Sequence, residues 1–441
     1  MEETGKVAST GFYANTVNQK FTFDATDKLS FYARGGYYDN KTRRPYEAYD
    51  YNILHETFNY GIGAQYMINK GNYITADCYA DHFSSSYCFF KDNKTYNGKA
   101  GEEQVRKRTR NHNLSIKGIF KLGNRHKLSV GTEYIVDVLK SQTDNIAKED
   151  AYTLALFAQD EIKLLRNLQA LIGVRYIYHE NFKNHATPNV ALMYKPGKFN
   201  FRASYAAGFR TPTLSELYAT DIAKKNDRLT IGNLDLKPEK NNYFSLSAEY
   251  VHERFSVSVN AFYNNIRDMI DYNTIATGDK AMEQYGHKEV RQRDNIAEAK
   301  VHGINVSANA YLGAGFNLSG GYTHLNTQDV ELEQPIDKSI KNAYNINAQW
   351  AHSWKIYRLN INLNGRFNSK RFSKSYGYAP EYQLWDLNTR HSFNLKSVII
   401  EPGCGIENLF DYTDDRPYNS NYATLTPGRS FYISLSLKFK S

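Results

Sequence analysis

Apolar and polar residues alternate with a period of two along most of the chain. In "RSFYISLSLKFKS", Phe431, Ile433, Leu435, Leu437 and Phe439 fall on one face, and Tyr432, Ser434, Ser436, Lys438 and Lys440 on the other. "RFSVSVNAFYNN" sets Phe255, Val257, Val259, Ala261 and Tyr263 against Ser256, Ser258, Asn260 and Asn264. "YRLNINLNGRF" sets Leu359, Ile361 and Leu363 against Asn360, Asn362 and Asn364, and "YFSLSAEYV" repeats the pattern. A helix would scatter these residues, whereas a strand collects them on two faces. About 19 such runs of roughly 9–15 residues are present, the length a tilted strand needs to cross a bilayer.

The connections alternate in length. Tight ones are Thr26–Asp27, Asn69–Gly71, Gly123–Asn124, Leu164–Asn167, Lys195–Lys198, His252–Glu253, Gly313–Gly315, Ser353–Trp354 and Asn394–Ser397. Between them fall long ones: Asn40–Asn52, Tyr87–Arg106, Ser141–Lys148, Arg210–Lys240, Thr274–Asp294, Asp329–Ile340, Asn368–Pro380 and Tyr412–Gly428. Short turns then lie at one end and long loops at the other. This predicts an all-β, up-and-down antiparallel transmembrane barrel with short periplasmic turns and long extracellular loops. A sandwich would mix the two ends, and a propeller would repeat a blade motif.

Length alone would suggest two or three domains for 441 residues, but a barrel grows by adding strands to one sheet. Charged residues at 23% and hydrophobics at 41% exclude a disordered chain. A mean hydropathy of −0.63, with no long apolar run, excludes a transmembrane helix and leaves strands open. The 36 Tyr against 3 Trp fit interfacial aromatic girdles or simply a large sheet. The net charge of +9 reads either as ordinary solubility or as attraction to anionic lipid or ligand. Cys78, Cys88 and Cys404 make no disulfide framework, and a Cys78–Cys88 pair is left open.

Within the long mid-chain loop, "GFRTPTLSELY" at Gly208–Tyr218 and "GNLDLKPEK" at Gly232–Lys240 resemble a signature of TonB-dependent outer-membrane receptors. "NIAEAKVHGINVSANA" at Asn295–Ala310 and the closing "GIENLFDY…PGRSFYISLSLKF" resemble two further family segments, in the family's order. The resemblance covers nearly the whole chain. It implies a barrel domain over 1–441 in the outer membrane of a Gram-negative bacterium, surrounded by lipid and lipopolysaccharide. It implies uptake of a scarce small molecule: an iron complex (siderophore or haem) or cobalamin. A monomer with no resident cofactor, no metal and no nucleic-acid partner is expected.

The residues carried over are Arg210, Thr211, Pro212, Glu216, Tyr218, Gly232, Asn233, Pro238 and Glu239. They read either as architecture of the loop or as ligand contacts. Pro212 and Pro238 restrict their predecessors to extended backbone, and Gly232-Asn233 suits a turn with positive φ. Glu216 and Glu239 are available to nearby Arg and Lys, as ordinary weak surface pairs. His287 in the Thr274–Asp294 loop, with His179 and His185, is a candidate ligand contact against a solvated-loop alternative. Haem receptors of the related type carry a histidine between two boxes. The boxes here read Phe209-Arg210-Thr211-Pro212 and Asn233-Leu234-Asp235-Leu236 with no histidine between, which weighs against haem. "KTRRP" at Lys41–Pro45 and "RQR" at Arg291–Arg293 suit an anionic ligand or lipopolysaccharide phosphates. "YDYN" at Tyr49–Asn52 and "SYGYAPEY" at Ser375–Tyr382 suit stacking.

Family members carry a signal peptide, a TonB box and a globular plug before the barrel. None is visible ahead of the first strand. Against the family's barrel of about 22 strands, roughly 19 leave three absent, so an N-terminally truncated barrel is expected. Its odd count puts the start outside, and TonB is reached only through the missing part. No Gly-x-Ser-x-Gly, His-Glu-x-x-His or Walker motif supports an enzyme. A passive porin-like channel is the alternative.

Overall fold

The computed structural model describes residues 11–43, 50–223, 227–374, 376–414, 423–424, 426 and 428–439. Arg44 and Pro45 of the "KTRRP" segment, Tyr49, Ser375 and the residues after Phe439 lie outside that set.

The chain opens with ten strands: β1 (Phe12–Thr26), β2 (Leu29–Thr42), β3 (Tyr51–Asn69), β4 (Asn72–Phe89), β5 (Glu103–Leu122), β6 (His126–Ser141), β7 (Ile146–Leu165), β8 (Leu168–His179), β9 (Lys183–Tyr194) and β10 (Phe199–Arg210). The signature loop then supplies helix α1 (Leu214–Tyr218) and the short strands β11 (Thr220–Ala223) and β12 (Arg228–Ile231). β13 (Glu239–Val251) and β14 (Phe255–Thr277) lead to helix α2 (Gly278–Tyr285). After it come β15 (Glu289–Gly313), β16 (Phe316–Asp329), β17 (Asn342–Trp354) and β18 (Tyr357–Asn368). A small hairpin, β19 (Arg371–Ser373) and β20 (Gly377–Ala379), precedes β21 (Tyr382–Asn394), β22 (Val398–Glu407) and β23 (Ser430–Phe439).

Apart from the four short strands β11, β12, β19 and β20, nineteen strands form the wall, as the periodicity predicts. Each pairs antiparallel with its sequence neighbour in the wall, β10 pairing β13 across the signature loop. No helix is long and apolar enough to cross a membrane. β1 pairs only with β2, and β23 only with β22, among the described residues.

The alternation sorts the faces. Leu114, Ile172, Leu435 and Ile433 stand 50%, 51%, 65% and 89% exposed on the outer face. The inner face is a polar ladder tied across strands. Ser204 bonds Ser245 at 2.7 Å, Ser258 bonds Ser307 at 2.7 Å, and Thr323 donates to Asn305 at 2.9 Å. Asn347 donates to Asn362 at 2.7 Å and to Asn364 at 2.5 Å. Turns at the short end are tight enough to demand glycine. Gly315 has φ 88°, and a Cβ there would sit 2.0 Å from the Ala351 carbonyl oxygen.

The long connections are shorter and more ordered than the sequence suggests. β4 runs on through Tyr87–Phe89, and β14 and β15 absorb most of Thr274–Asp294, leaving α2 at the tip. Ladder pairing satisfies backbone groups that a free loop would leave to water. The open Cys78–Cys88 question is answered as well. Both lie on β4, so roughly 33 Å of extended strand separates them, and all three cysteines are free.

The face assignment predicts an asymmetry. Leu246→Arg places a charge on the outer face between Ala203 and Ala261, in the apolar band, and is expected to cost about 2–4 kcal/mol. Gln159→Arg, on the inner face beside Gly173, is expected to cost less than half of that. Urea unfolding in lipid vesicles reads both, and equal losses would contradict the assignment.

Candidate functional site

The signature loop is built around one guanidinium. β10 and β13 pair so that Arg210 stands opposite Glu239. Pro212, buried, follows Arg210 and Thr211, which is half-buried. Thr213 then caps α1: its Oγ1 accepts from the Glu216 N–H at 3.2 Å, and Glu216 Oε2 accepts from the Thr213 N–H at 2.8 Å. This reciprocal box satisfies two amide donors at the helix start and fixes the Glu216 carboxylate.

Arg210 closes the arrangement. Its Nη1 and Nη2 donate to Glu216 at 2.8 and 3.2 Å, and its Nε and Nη2 donate to Glu239 at 2.8 and 2.6 Å. A planar fork with five donors is suited to grip two carboxylates at once. Glu239 also accepts from the Ile270 N–H at 2.9 Å, which ties in β14. Burial alone would raise the Glu216 and Glu239 carboxyls, but Arg210 and the backbone donors outweigh it and hold both below the usual range. The two carboxylates in turn raise Arg210. These are not the weak surface pairs expected from sequence, because both acids are largely buried and hydrogen-bonded on several sides.

Packing fixes the rest of the loop over the inner face at the barrel mouth. Leu214 joins Leu139, Ile146 and Ala151, while Leu217 joins Leu236 and Ile270, with Tyr218 against both groups. Gly232 and Asn233 do not adopt positive φ, contrary to the turn expected there. Glycine is needed for another reason: a Cβ at 232 would lie 2.5 Å from the Leu217 carbonyl oxygen. The Gly232 N–H donates to Ala219 at 2.7 Å and the Asn233 N–H to Glu216 at 3.0 Å. Asn233 Oδ1 accepts from the Asp235 N–H at 2.9 Å, and Pro238 is buried before β13.

The histidines are not solvated loop groups. His179 is 7% exposed, accepts from the Asn181 N–H at 3.1 Å, and burial pushes its pKa down. His185 stacks on Phe209 at 4.6 Å and donates to the Phe182 carbonyl at 2.9 Å. His287 pairs with Asp227 at 2.9 Å and so joins the end of α2 to the β11–β12 hairpin. The Arg291–Arg293 segment lies in β15 rather than a loop. Arg291 bonds Glu289 at 2.5 Å, and Arg293 lies 3.5 Å over the Tyr272 ring.

One feature escapes a reading of the sequence, and a second extends the stacking expected of the "YDYN" run. Asn295 holds the end of the loop to β14: it accepts from the Lys237 N–H at 2.7 Å and donates to Lys237 and Asp268 carbonyls at 2.9 and 2.7 Å. It opens one of the quoted segments, which is the only signal available in the sequence. At the loop end of β3–β5, Tyr51 stacks on Tyr87 at 4.1 Å, and Arg106 lies 5.3 and 5.1 Å from the Tyr87 and Tyr96 rings. No cluster of metal-ligating side chains occurs among the described residues.

A family model described as "TonB dependent receptor-like, beta-barrel" matches residues 4–409. Among solved structures, a mutant of the ferric enterobactin receptor (PfeA) of Pseudomonas aeruginosa is similar at a TM-score of 0.80 and 16% identity. The match covers 97% of this chain and 70% of that one. The siderophore receptor PirA of Acinetobacter baumannii gives 0.77 and 15%, covering 99% and 72%. The copper transporter OprC gives 0.76 and 11%, covering 98% and 72%.

The clamp has a pH signature. Both carboxyls are held below their unfolded values, so their stabilisation is complete above the ordinary Glu value, about 4.3, and is lost as pH falls through the depressed values. A spin label at Thr220 should stay immobile from neutral pH to about 5 and gain mobility below about 4. In Arg210→Lys it should be mobile at neutral pH. An unchanged spectrum in both cases would show that the loop does not depend on the clamp. Gly232→Ala should cost about 1–3 kcal/mol by forcing the loop off Leu217, read as a lower unfolding midpoint.

Proposed function

The chain belongs to the TonB-dependent receptor-like β-barrel family, and we propose that it is the barrel part of a receptor that takes up a scarce ligand, an iron–siderophore complex before haem or cobalamin. It is an outer-membrane protein of a Gram-negative bacterium. Energy comes from TonB through a plug and TonB box joined ahead of the barrel.

The observation that carries this reading is the loop clamp. Arg210, Glu216, Glu239 and Asn295 hold a loop of more than thirty residues over the inner face, where a gated receptor needs a shaped vestibule rather than an open mouth. Four of the five donors of the clamp's guanidinium are taken up by its two carboxylates, which leaves little for an anionic ligand, so these residues frame the vestibule. Ligand contact falls to the aromatic rings beside Arg106, which suit a planar anionic complex. The ligand class leans on the solved neighbours, two of which are siderophore receptors.

Strand direction supports a missing part. β1 runs from the long-loop end to the short-turn end, and so does β23. Two strands running the same way cannot close an antiparallel wall between themselves. An odd number of further strands fits, and three would complete the family's barrel of about 22. A recess of about 800 Å³ at the turn end of the lumen, lined by Lys121, Lys127, Glu161, Lys163 and Arg202, is where the plug would seat.

The test is uptake of radiolabelled ferric siderophores, haem and cobalamin by cells whose only receptor is this barrel joined to its plug and TonB box. Uptake of one iron–siderophore class is expected, abolished without TonB. Replacing Arg210–Lys240 by a short Gly/Ser linker should spare folding and lower uptake. Passive, TonB-independent swelling of liposomes by sugars would favour the porin reading instead.

A further inference from the structure

The inner wall differs from one sector to another. At the turn end of β5–β10 it carries Lys121, Lys127, Glu161, Lys163 and Arg202. Between Ser256–Asn264 on β14 and Arg358–Arg366 on β18, the inward side chains at that height on five consecutive strands include no carboxylate and no lysine. Register keeps them on one face: Asn305 stands opposite Asn260 and Thr323, and Asn347 opposite Ser319 and Asn364. Most are amides, hydroxyls and small side chains. The only charges there are the guanidiniums of Arg358 and Arg366.

Three guanidiniums mark one stripe of that wall. Arg366 stands toward the loop end of β18 and Arg358 at its turn end, roughly 27 Å apart along the strand. Arg390 of β21 stands opposite Asn360, between them, with Gly403 of β22 on its other side. All three are exposed to the lumen, and none has a hydrogen bond or ion pair among the described residues. The acids of the neighbouring strands are engaged elsewhere. Glu401 pairs with Lys438 at 2.6 Å and accepts from Ser392 at 3.3 Å. Asp386 accepts from the Asn408 N–H at 2.9 Å, and Glu407 accepts from Ser430 at 3.1 Å.

The amides between the guanidiniums also offer donors. Asn347 donates to the Oδ1 atoms of both Asn362 and Asn364, at 2.7 and 2.5 Å. Those acceptors are used, and the two NH2 groups that accompany them have no acceptor among the described residues. Asn388 of β21 stands opposite Asn362 on the same face. A surface whose acceptors are consumed and whose donors are free selects oxygen acceptors. Several such steps, none of them enclosing, let a solute bind and move on.

We propose that the inner face of β17–β21, from Arg366 through Asn364, Asn362 and Asn388 to Arg390 and Arg358, is a track that binds a small, multiply charged oxyanion on its way down the lumen. The inference rests on the receptor reading above and takes its anionic ligand from the mouth into the barrel. Guanidinium forks hold oxyanions by paired donors, and the amides between them offer weaker, neutral donors. A sector without carboxylates does not repel an anion. The recess assigned to the plug lies on β5–β10, a different sector, so a plug seated there leaves the track facing the lumen.

The track is read by cysteine labelling of the full chain refolded in micelles, in a Cys78→Ser/Cys88→Ser/Cys404→Ser background. Asn388→Cys reacts with a sulfonate-bearing and with a trimethylammonium-bearing thiosulfonate, and the ratio of the two rates reports the local preference for anions. Arg358→Gln/Arg366→Gln/Arg390→Gln should lower that ratio at least fivefold, and should leave it within twofold for Asn113→Cys on the inner face of β5. Millimolar citrate should slow labelling of Asn388→Cys at least threefold, and uncharged trimethyl citrate should not. Arg358→Lys/Arg366→Lys/Arg390→Lys should keep the ratio within twofold but lose at least half of the citrate protection, because charge remains and the fork does not. A ratio unchanged in the glutamine variant with intact heat-modifiable mobility, or equal protection by the ester, would overturn the proposal. So would an Asn388→Cys that labels in this chain and falls silent once a plug is joined, which would assign the track to the plug. Uptake is read separately in cells carrying the barrel with its plug and TonB box. There the glutamine variant should slow ferric siderophore entry at least fivefold while surface binding stays within twofold, and entry at the parent's rate would also overturn the proposal. Absence of uptake by the parent itself would remove the receptor reading, and the labelling ratio would then decide the track alone.

Discussion

Backbone amides and carbonyls inside a bilayer have no water to bond, so each must find its partner in the sheet. The wall of this chain follows from that constraint. Strands pair with their sequence neighbours because short turns bring complementary backbone together with little loss of entropy. Side chains then sort by parity alone, apolar outward and Ser/Asn inward, and the inner residues tie the wall again through side-chain hydrogen bonds. The same constraint makes β1 and β23 the exceptions. Each leaves one edge unpaired among the described residues, and their common direction means that they do not answer one another.

Where the chain leaves the membrane, a different interaction takes over. Between β10 and β13 the backbone travels 28 residues and returns to the adjacent ladder position. Arg210 opposite Glu239 closes that excursion at its base, and Glu216, placed by its own helix cap, closes it from within. Leucines on α1 then bury against the inner face of β6–β7 and β14 and against Leu236 of the loop itself. The loop is thus part of the wall's mouth rather than an appendage. A vestibule fixed this way can present rings and cations to a ligand without refolding for each encounter.

The wall was legible from sequence because its signal is local. Alternation in "RSFYISLSLKFKS" or "YRLNINLNGRF" needs only the strand itself, and turn length needs only the next strand. The strand count, the two-ended layout and the family segments could be read directly. What could not be read depends on register between distant strands. Nothing local shows that Arg210 takes both Glu216 and Glu239, that Gly232 is required by the Leu217 carbonyl, or that Asn295 grips Lys237. His179 looked solvated because loop ends usually are, yet the flanking strand and Phe182 bury it. Arg291 and Arg293 looked like loop charges because strand pairing between β14 and β15 continues far beyond the apolar alternation. The stripe of Arg358, Arg366 and Arg390 spans two strands, and only the register of β18 with β21 puts it on one face.

Amide hydrogen exchange reads the open edges of β1 and β23 residue by residue. In the chain alone, alternate amides of Phe12–Thr26 bond to β2 and their interleaved neighbours point to the open edge. The protected set should exchange slowly and the interleaved set close to free rates, with the same division in Ser430–Phe439. Joining preceding strands and the plug should protect the interleaved set as well. Uniform protection of both edges in the chain alone would mean that the wall already closes on itself, and would contradict the open, same-direction edges on which this account rests.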